Sequence, residues 1–200
     1  MISLLIYIKH RFHWIWDVVE WVNGQIFCLL YPTLSNCINE VLRDCHCERI
    51  AFSTVTHEDI ANLEKFRQNQ TTQYLLYFDP HPFDKHTLNR LLKNKSFVMM
   101  KATSNVDGRI VGYFFLRCFF IGKVFHGLIV DEHCTNQGLG TAMWALSSKI
   151  CSRLGVRMYA TVSKHNPASL TSARKATEVI VVEKLANDYL FIECKLKTKE

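Results

Sequence analysis

The chain has no internal repeat and no low-complexity tract, and only four of its 200 residues are proline and eight glycine. Repeat arrays, collagen-like chains and linker-rich proteins are excluded on that ground. Charged residues make up 21% and hydrophobic residues 48%, globular values that leave no room for broad disorder. There is no basic block with interleaved aromatics and no RNA-binding signature. The net charge of +6 therefore does not demand nucleic acid; it suits an anionic small molecule or an acidic membrane surface. No uninterrupted apolar run spans a bilayer, because Lys9, Arg11, Asp17 and Glu20 break the N-terminal pattern. No signal peptide is read either, since the apolar run before Lys9 is short and no small-x-small site follows. The eight cysteines lack a second close pair to join Cys45-His46-Cys47. Reduced thiols are expected, with no disulfide framework and no metal. A cytoplasmic location is expected, with a membrane-peripheral one as the alternative.

What is present is a β-prone run, a glycine turn and a helix in succession. Val124 to Val130 is followed by Thr135-Asn136-Gln137-Gly138-Leu139-Gly140, and then by Thr141-Ala142-Met143-Trp144-Ala145-Leu146. A helix N-terminus presents unpaired N–H groups and a partial positive charge. Glycines there let an anion approach the main chain. The turn is not a P-loop, which needs G-x-x-x-x-G-K-[ST]. It is not a dinucleotide fingerprint, since Met143 stands where the third glycine would be and no doubly wound series precedes it. An ordinary strand-to-helix turn is the plain alternative.

The segment Val130-Asp131-Glu132-His133-Cys134-Thr135-Asn136-Gln137-Gly138-Leu139-Gly140 resembles the acyl-CoA-binding motif of the GNAT acetyltransferase superfamily, roughly V-x-x-x-x-[RQ]-x-x-G-x-[GA]. The valine and both glycines match; Thr135 replaces the usual Arg or Gln. The resemblance implies that the main chain of Asn136, Gln137, Gly138, Leu139, Gly140 and Thr141 holds the pyrophosphate of coenzyme A. It also implies that Leu128, Ile129 and Val130 contact the thioester and pantetheine. A second signature follows. Arg157 to Val162 is β-prone, and Ser163-Lys164-His165-Asn166-Pro167-Ala168-Ser169 resembles the family's polar loop and N-x-x-[SA] helix start. Asn166 and Ser169 then contact the cofactor or order the site. A helix cap, Asn before Pro at the first helical position, explains the same residues, and the two readings are compatible. The resemblance breaks at Ala173, where many members carry the tyrosine that protonates the departing thiolate. The proton then comes from water or another group, or the chain does less chemistry than its fold suggests.

From Arg49 onward the element order fits the same family. Ile50 to Val55 alternates as a strand, and Thr56 to Asp59 reads as a cap before Ile60, Leu63 and Phe66. Tyr74 to Phe83 reads as a loop, and Asp84 caps a helix through Lys93. Strands follow at Ser96 to Ala102, Arg109 to Phe120 and Val124 to Val130, then at Val179 to Glu183 and Tyr189 to Leu196. The expected fold is α/β (α+β): a mixed, mostly antiparallel sheet of about seven strands with about four helices. It occupies residues 47–200, with residues 1–46 an N-terminal helical extension. In that extension Leu5, Ile8, Phe12, Ile15, Val19, Val22 and Ile26 recur at helical spacing, opposite Lys9, His13, Asp17 and Glu20. Packing on the domain or on a second subunit is expected for this face. Trp14, Trp16 and Trp21 suit the alternative, a membrane interface.

Amide formation needs a positioned thioester, a polarised carbonyl and an amine that loses a proton. Val124, His126, Leu128 and Val130 share a strand face expected to point at the substrate cleft. His126 is the candidate base because a free imidazole titrates near neutrality; Glu132 and His133 follow at the cleft edge. Each has a plainer reading as an exposed strand or turn residue. Cys134 as an acyl carrier is disfavoured, since family members transfer directly, and His81 and His86 read as loop and helix-surface residues. The expected function is acyl transfer from acetyl-CoA to a small amine such as an amino sugar, with a homodimer as one expectation. Two rivals stand beside it: a non-catalytic CoA-binding or interaction module that docks a partner through the N-terminal helix, and a membrane-peripheral enzyme acting on a lipid-linked sugar.

Overall fold

Apolar residues on both faces make β3 (Ile110–Phe119) an interior strand of the sheet. Phe114, Leu116 and Cys118 face one side, while Tyr113 and Phe115 face the other. Both faces are covered, so the strand reads as an almost continuous apolar run. The computed structural model describes residues 13–45 and 47–197. Leu5, Ile8, Lys9, Arg11, Phe12 and His46, used above in reading the N-terminal helix and the cysteine cluster, lie outside the described residues.

Around β3 lie β1 (Ile50–Thr54), β2 (Phe97–Ser104), β4 (Lys123–Val130), β5 (Arg157–Ser163), β6 (Thr177–Lys184) and β7 (Tyr189–Leu196). They form one seven-stranded sheet in the order β1-β2-β3-β4-β5-β7-β6. Every pairing is antiparallel except that of β4 with β5. Six α-helices complete the described residues: α1 (His13–Leu30), α2 (Leu34–Arg43), α3 (Ile60–Gln68), α4 (Lys85–Lys93), α5 (Leu139–Arg153) and α6 (Pro167–Ala176). The four expected around the sheet are α3 to α6, and the mixed, mostly antiparallel α/β architecture is as the sequence implies.

One face of the sheet packs on α2 and α5 through Ile38, Val41, Trp144 and Ile150, and Phe27 of α1 joins that core. The other face packs on α3 and α4 through Leu63, Phe66, Leu88 and Leu91. Local rules fix the helix starts. Thr56 and Asp59 form a reciprocal capping box, and the Asp84 side chain accepts from the Thr87 N–H at 2.9 Å. Lys101 from β2 also pairs with Asp59. Burial alone would raise the Asp59 carboxyl, but the hydrogen bonds from Lys101 and Thr56 outweigh it and hold it below its ordinary value.

The second helix begins at Leu34, within the polar stretch Thr33 to Asn36. Leu34, Cys37, Ile38 and Val41 recur at helical spacing and are all buried, so packing overrides the cost of Ser35 and Asn36 in the first turn. Tyr74 to Tyr77 forms a short 3-10 turn inside the expected loop. His81 is not a simple loop residue. It stacks on Phe83 and packs edge-on to Phe97, and its ring bridges the Pro82 carbonyl and the Tyr113 hydroxyl at 2.9 Å each. A carbonyl only accepts, so Nδ1 carries the proton and Nε2 accepts from Tyr113. All eight cysteines are free thiols.

Candidate active site

The parallel pairing of β4 and β5 runs only from Lys123–Arg157 to Phe125–Tyr159. Beyond it β4 continues to Val130 paired with β3, and β5 continues to Ser163 paired with β7. The two strands therefore splay, and each leaves backbone N–H and C=O groups unpaired along the facing edge. Such groups require partners. The gap opens into a cleft of about 900 Å³ lined by both strand edges, the turn after β4, the N-terminus of α5, the start of α6 and the Tyr74–Tyr77 turn.

The turn is built for its place. Asn136 takes φ 60 and Gly138 φ 81, left-handed values that glycine adopts freely and asparagine tolerates. Gly138 is the N-cap of α5, and no side chain caps that end. The first N–H groups of the helix, at Leu139, Gly140 and Thr141, have no intrahelical acceptor by geometry. A Cβ on Gly138 would meet nothing within 4 Å, so φ alone demands glycine there. A Cβ on Gly140 would sit 3.6 Å from Ser172 Oγ and 3.7 Å from Val130 Cγ2, ordinary contacts. Gly140 is thus dispensable to the fold but opens onto the cleft floor between α5 and α6.

Most of the expected site residues come together here. Leu128, Ile129, Val130, Thr135, Asn136, Gly138, Leu139, Gly140, Thr141, Asn166 and Ser169 all line the cleft; Gln137 and His133 do not. Asn166 is the N-cap of α6, its side-chain oxygen accepting from the Ser169 N–H at 3.1 Å, so the cap reading is realised, and its amide NH₂ is left to donate. Ala173 is fully buried in the main core and brings no proton donor to the cleft.

The strand face bearing His126 is not open to solvent, which corrects the expected environment. Val124 and Val130 pack under α5, and the His126 ring lies 4.4 Å from that of Trp144. His126 is 5% exposed, yet it reaches the inner wall of the cleft together with Trp144. Neither of its ring nitrogens, nor Trp144 Nε1, has a hydrogen-bond partner. Burial pushes the imidazole down to about 3, which favours the neutral ring. Gly127, beside it, faces the other way. A Cβ there would lie 2.5 Å from the Phe115 ring.

Glu132 is committed rather than free. Its Oε2 accepts from Thr71 Oγ1 at 2.8 Å and from the Thr71 N–H at 3.2 Å, and its own N–H donates to Gln70 Oε1 at 2.9 Å. It latches the loop after α3 to the turn after β4. His133 is exposed, 3.7 Å from Glu132 Oε1. Burial, with the nearby Asp131, raises the Cys134 thiol above its ordinary value, which disfavours a thiolate.

Three lining groups escaped the sequence reading. Tyr74 and Tyr77 present aromatic rings from the 3-10 turn, and burial lifts the Tyr74 hydroxyl to about 12. Lys175 at the end of α6 is the only Lys or Arg on the wall among the described residues. Nothing local distinguishes these residues, since their placement depends on the latch and on how α6 packs. Also among the described residues, no three His, Cys, Asp or Glu side chains come together as a metal would need, and no helix is long and apolar enough to cross a membrane.

The sequence profile of the Acetyltransferase (GNAT) family matches residues 63–175. None of the curated protein sequences matches well enough to suggest a relative. Among solved structures, a ribosomal-protein-S5-alanine acetyltransferase from Vibrio fischeri is similar with a TM-score of 0.63 at 11% identity, covering 76% of this chain and 95% of that one. A GNAT-family acetyltransferase from Streptococcus pneumoniae gives 0.57 at 15% identity, over 74% and 98%. The aminoglycoside acetyltransferase AAC(6')-Ib, solved with coenzyme A and kanamycin, gives 0.58 at 14% identity, over 74% and 95%. At such identities the likeness is one of fold.

Proposed function

The chain belongs to the GNAT acetyltransferase family, and from that premise we propose that it transfers an acetyl group from acetyl-CoA to the primary amine of a small molecule, an amino sugar being the acceptor we favour. The observation that carries this reading is the splay of β4 from β5 beside an uncapped helix N-terminus. An anion with an amide-bearing arm satisfies both: the pyrophosphate takes the N–H groups of Asn136 to Thr141, and the pantetheine amides pair with the free strand edges. Lys175 supplies the cation that Thr135 does not, from α6 instead of from the turn.

In the reaction the amine nitrogen attacks the thioester carbon, the C–S bond breaks, and the proton lost by nitrogen passes to the thiolate. A carbonyl polarised by hydrogen-bond donors is the main requirement. Neutral His126 fits a donor better than a base, because an imidazole held near 3 does not accept a proton from an ammonium group. Glu132 acts as a positioning residue through Thr71, and its exposed neighbour His133, outside the cleft lining, has no part in the step. Tyr74 and Tyr77 offer ring faces and Glu132 a carboxylate on the acceptor side, a combination suited to a cationic amine on a ring. The aminoglycoside acetyltransferase above was solved with an acceptor of that class, kanamycin.

The test is thiol release from acetyl-CoA against a panel of free amino sugars, nucleotide-linked amino sugars, polyamines and amino acids. Turnover with a sugar amine, and product mass raised by one acetyl group, is expected. Turnover confined to polyamines or amino acids would contradict the acceptor, and no turnover with any amine would contradict the activity.

A further inference from the structure

Helix α1 is amphipathic in the reverse sense. Of its residues 17–30, the exposed ones are Asp17, Val18, Val19, Trp21, Val22, Ile26, Leu29 and Leu30, and all but Asp17 are apolar. Leu29 is 81% exposed and Trp21 64%. Glu20 and Asn23 lie on the domain side and hold the helix down, with an exposed ion pair from Asp17 at the edge. Asp17 pairs with Arg90 at 3.1 Å and Glu20 with Arg117 at 2.7 Å. Asn23 donates to Ser96 Oγ and the Cys118 carbonyl at 2.9 Å each and accepts from the Phe120 N–H at 3.1 Å. Gly24 faces Asn94 and Ser96 beside it. The apolar residues expected to pack on the domain, Val19, Val22 and Ile26, are thus left outside. Phe120 and Ile121, next to Asn23's contact on the β3–β4 hairpin, are exposed as well.

A contiguous apolar surface of this kind marks an interaction site. We propose that α1 lies in the interface of an anionic membrane, with its outward face among the lipid chains. Charge decides for that occupant. Arg90 and Arg117 reach α1, Lys95 donates to Gln25 at 3.1 Å, and Lys93 lies one turn beyond Arg90. Asp17 and Glu20 of α1 offset Arg90 and Arg117, which leaves Lys93 and Lys95 as the excess positive charge among these described residues. The sequence leading into α1 adds Lys9 and Arg11 and has no acidic residue. Polybasic surroundings are drawn to acidic headgroups while the apolar face partitions below them. A second copy would fit worse: a two-fold pairing through α1 would set these cations against their own symmetry mates. The inference stands apart from the acetyl-transfer reading.

Vesicle co-sedimentation of the full chain tests it, with phosphatidylcholine alone and with equimolar phosphatidylcholine and phosphatidylglycerol. The protein is expected to pellet with the anionic vesicles and about tenfold less with the neutral ones. The double variant Val22→Glu, Leu29→Glu should lose binding. Val106→Glu, at a turn position 87% exposed, should keep it, and circular dichroism of both should match the parent. No pelleting with anionic vesicles, or equal pelleting with neutral ones, would overturn the proposal. So would a concentration-dependent dimer that the double variant abolishes while vesicles remain unbound, since a second copy would then be the occupant.

Discussion

His126 and Trp144 stand side by side on the inner cleft wall with three unpartnered buried nitrogens between them. Strand periodicity read from sequence put His126 on β4, on the face it shares with Val124, Leu128 and Val130. It could not say that α5 would cover that face, and so the titration expected of a free imidazole was misplaced. The burial has a consequence for stability. Below the ordinary value of 6.5 the unfolded chain takes a proton on this ring, and the folded one does not until about 3. Acid therefore favours unfolding through this residue, by about 2 kcal/mol at pH 5. Thermal melts between pH 7 and 5 should show a flatter loss for His126→Gln than for the parent. Equal slopes would mean the ring is not buried as a neutral group. The two turn glycines should separate in the opposite way to their spacing. Gly138→Ala strains a left-handed backbone and should cost on the order of 1 kcal/mol. Gly140→Val should leave the melting temperature nearly unchanged while weakening coenzyme A binding more than tenfold, about 1.4 kcal/mol. Gly127→Ala should cost about 1–3 kcal/mol, because the Phe115 ring must move.

Elements with strong local signals were legible. The capping box at Thr56, the Asp84 cap and the Asn166-Pro167 start specify helix N-termini by side-chain chemistry within four residues, and the glycine turn does so through a left-handed backbone. What escaped depends on distant partners. The loop after α3 is tied to Glu132, 61 residues from Thr71, through Thr71 and Gln70, and Leu75 anchors it in the core, so the placing of Tyr74 and Tyr77 at the cleft depends on long-range contacts. Glu132→Gln weakens the latch without changing its shape. We expect the acceptor KM to rise about tenfold, with kcat and coenzyme A affinity changed by less than threefold. A fall in kcat alone, with a new inflection in its pH profile, would make Glu132 a proton acceptor instead. The α3 start also carries a pH signature. The Asp59 carboxyl is held below its ordinary value in the fold, so its stabilisation is present above the unfolded value near 4 and lost as pH falls through the folded one. Asp59→Asn should lower the melting temperature at pH 7 and converge with the parent as pH falls below 4. A constant gap would assign the loss to packing alone.

Across the whole molecule the sheet serves two ends. At one, β4 and β5 part and leave a cleft beside the α5 N-terminus. At the other, α1 is pinned over the β3–β4 hairpin with its apolar side outward. The fold was readable because strand alternation, turn residues and caps agree along residues 50–196. The placement of α1 was not, because the same helical period serves a buried face and an exposed one, and only the distant partners of Glu20 and Asn23 decide between them. The central claim is that the cleft holds acetyl-CoA through main-chain donors. The most direct measurement is calorimetric titration of the full chain with acetyl-CoA and with coenzyme A, repeated on Gly140→Val and Lys175→Gln. Micromolar binding is predicted, lost in Gly140→Val and weakened in a salt-dependent way in Lys175→Gln. A folded parent that binds neither ligand, or a Gly140→Val variant that binds as well as the parent, would contradict it.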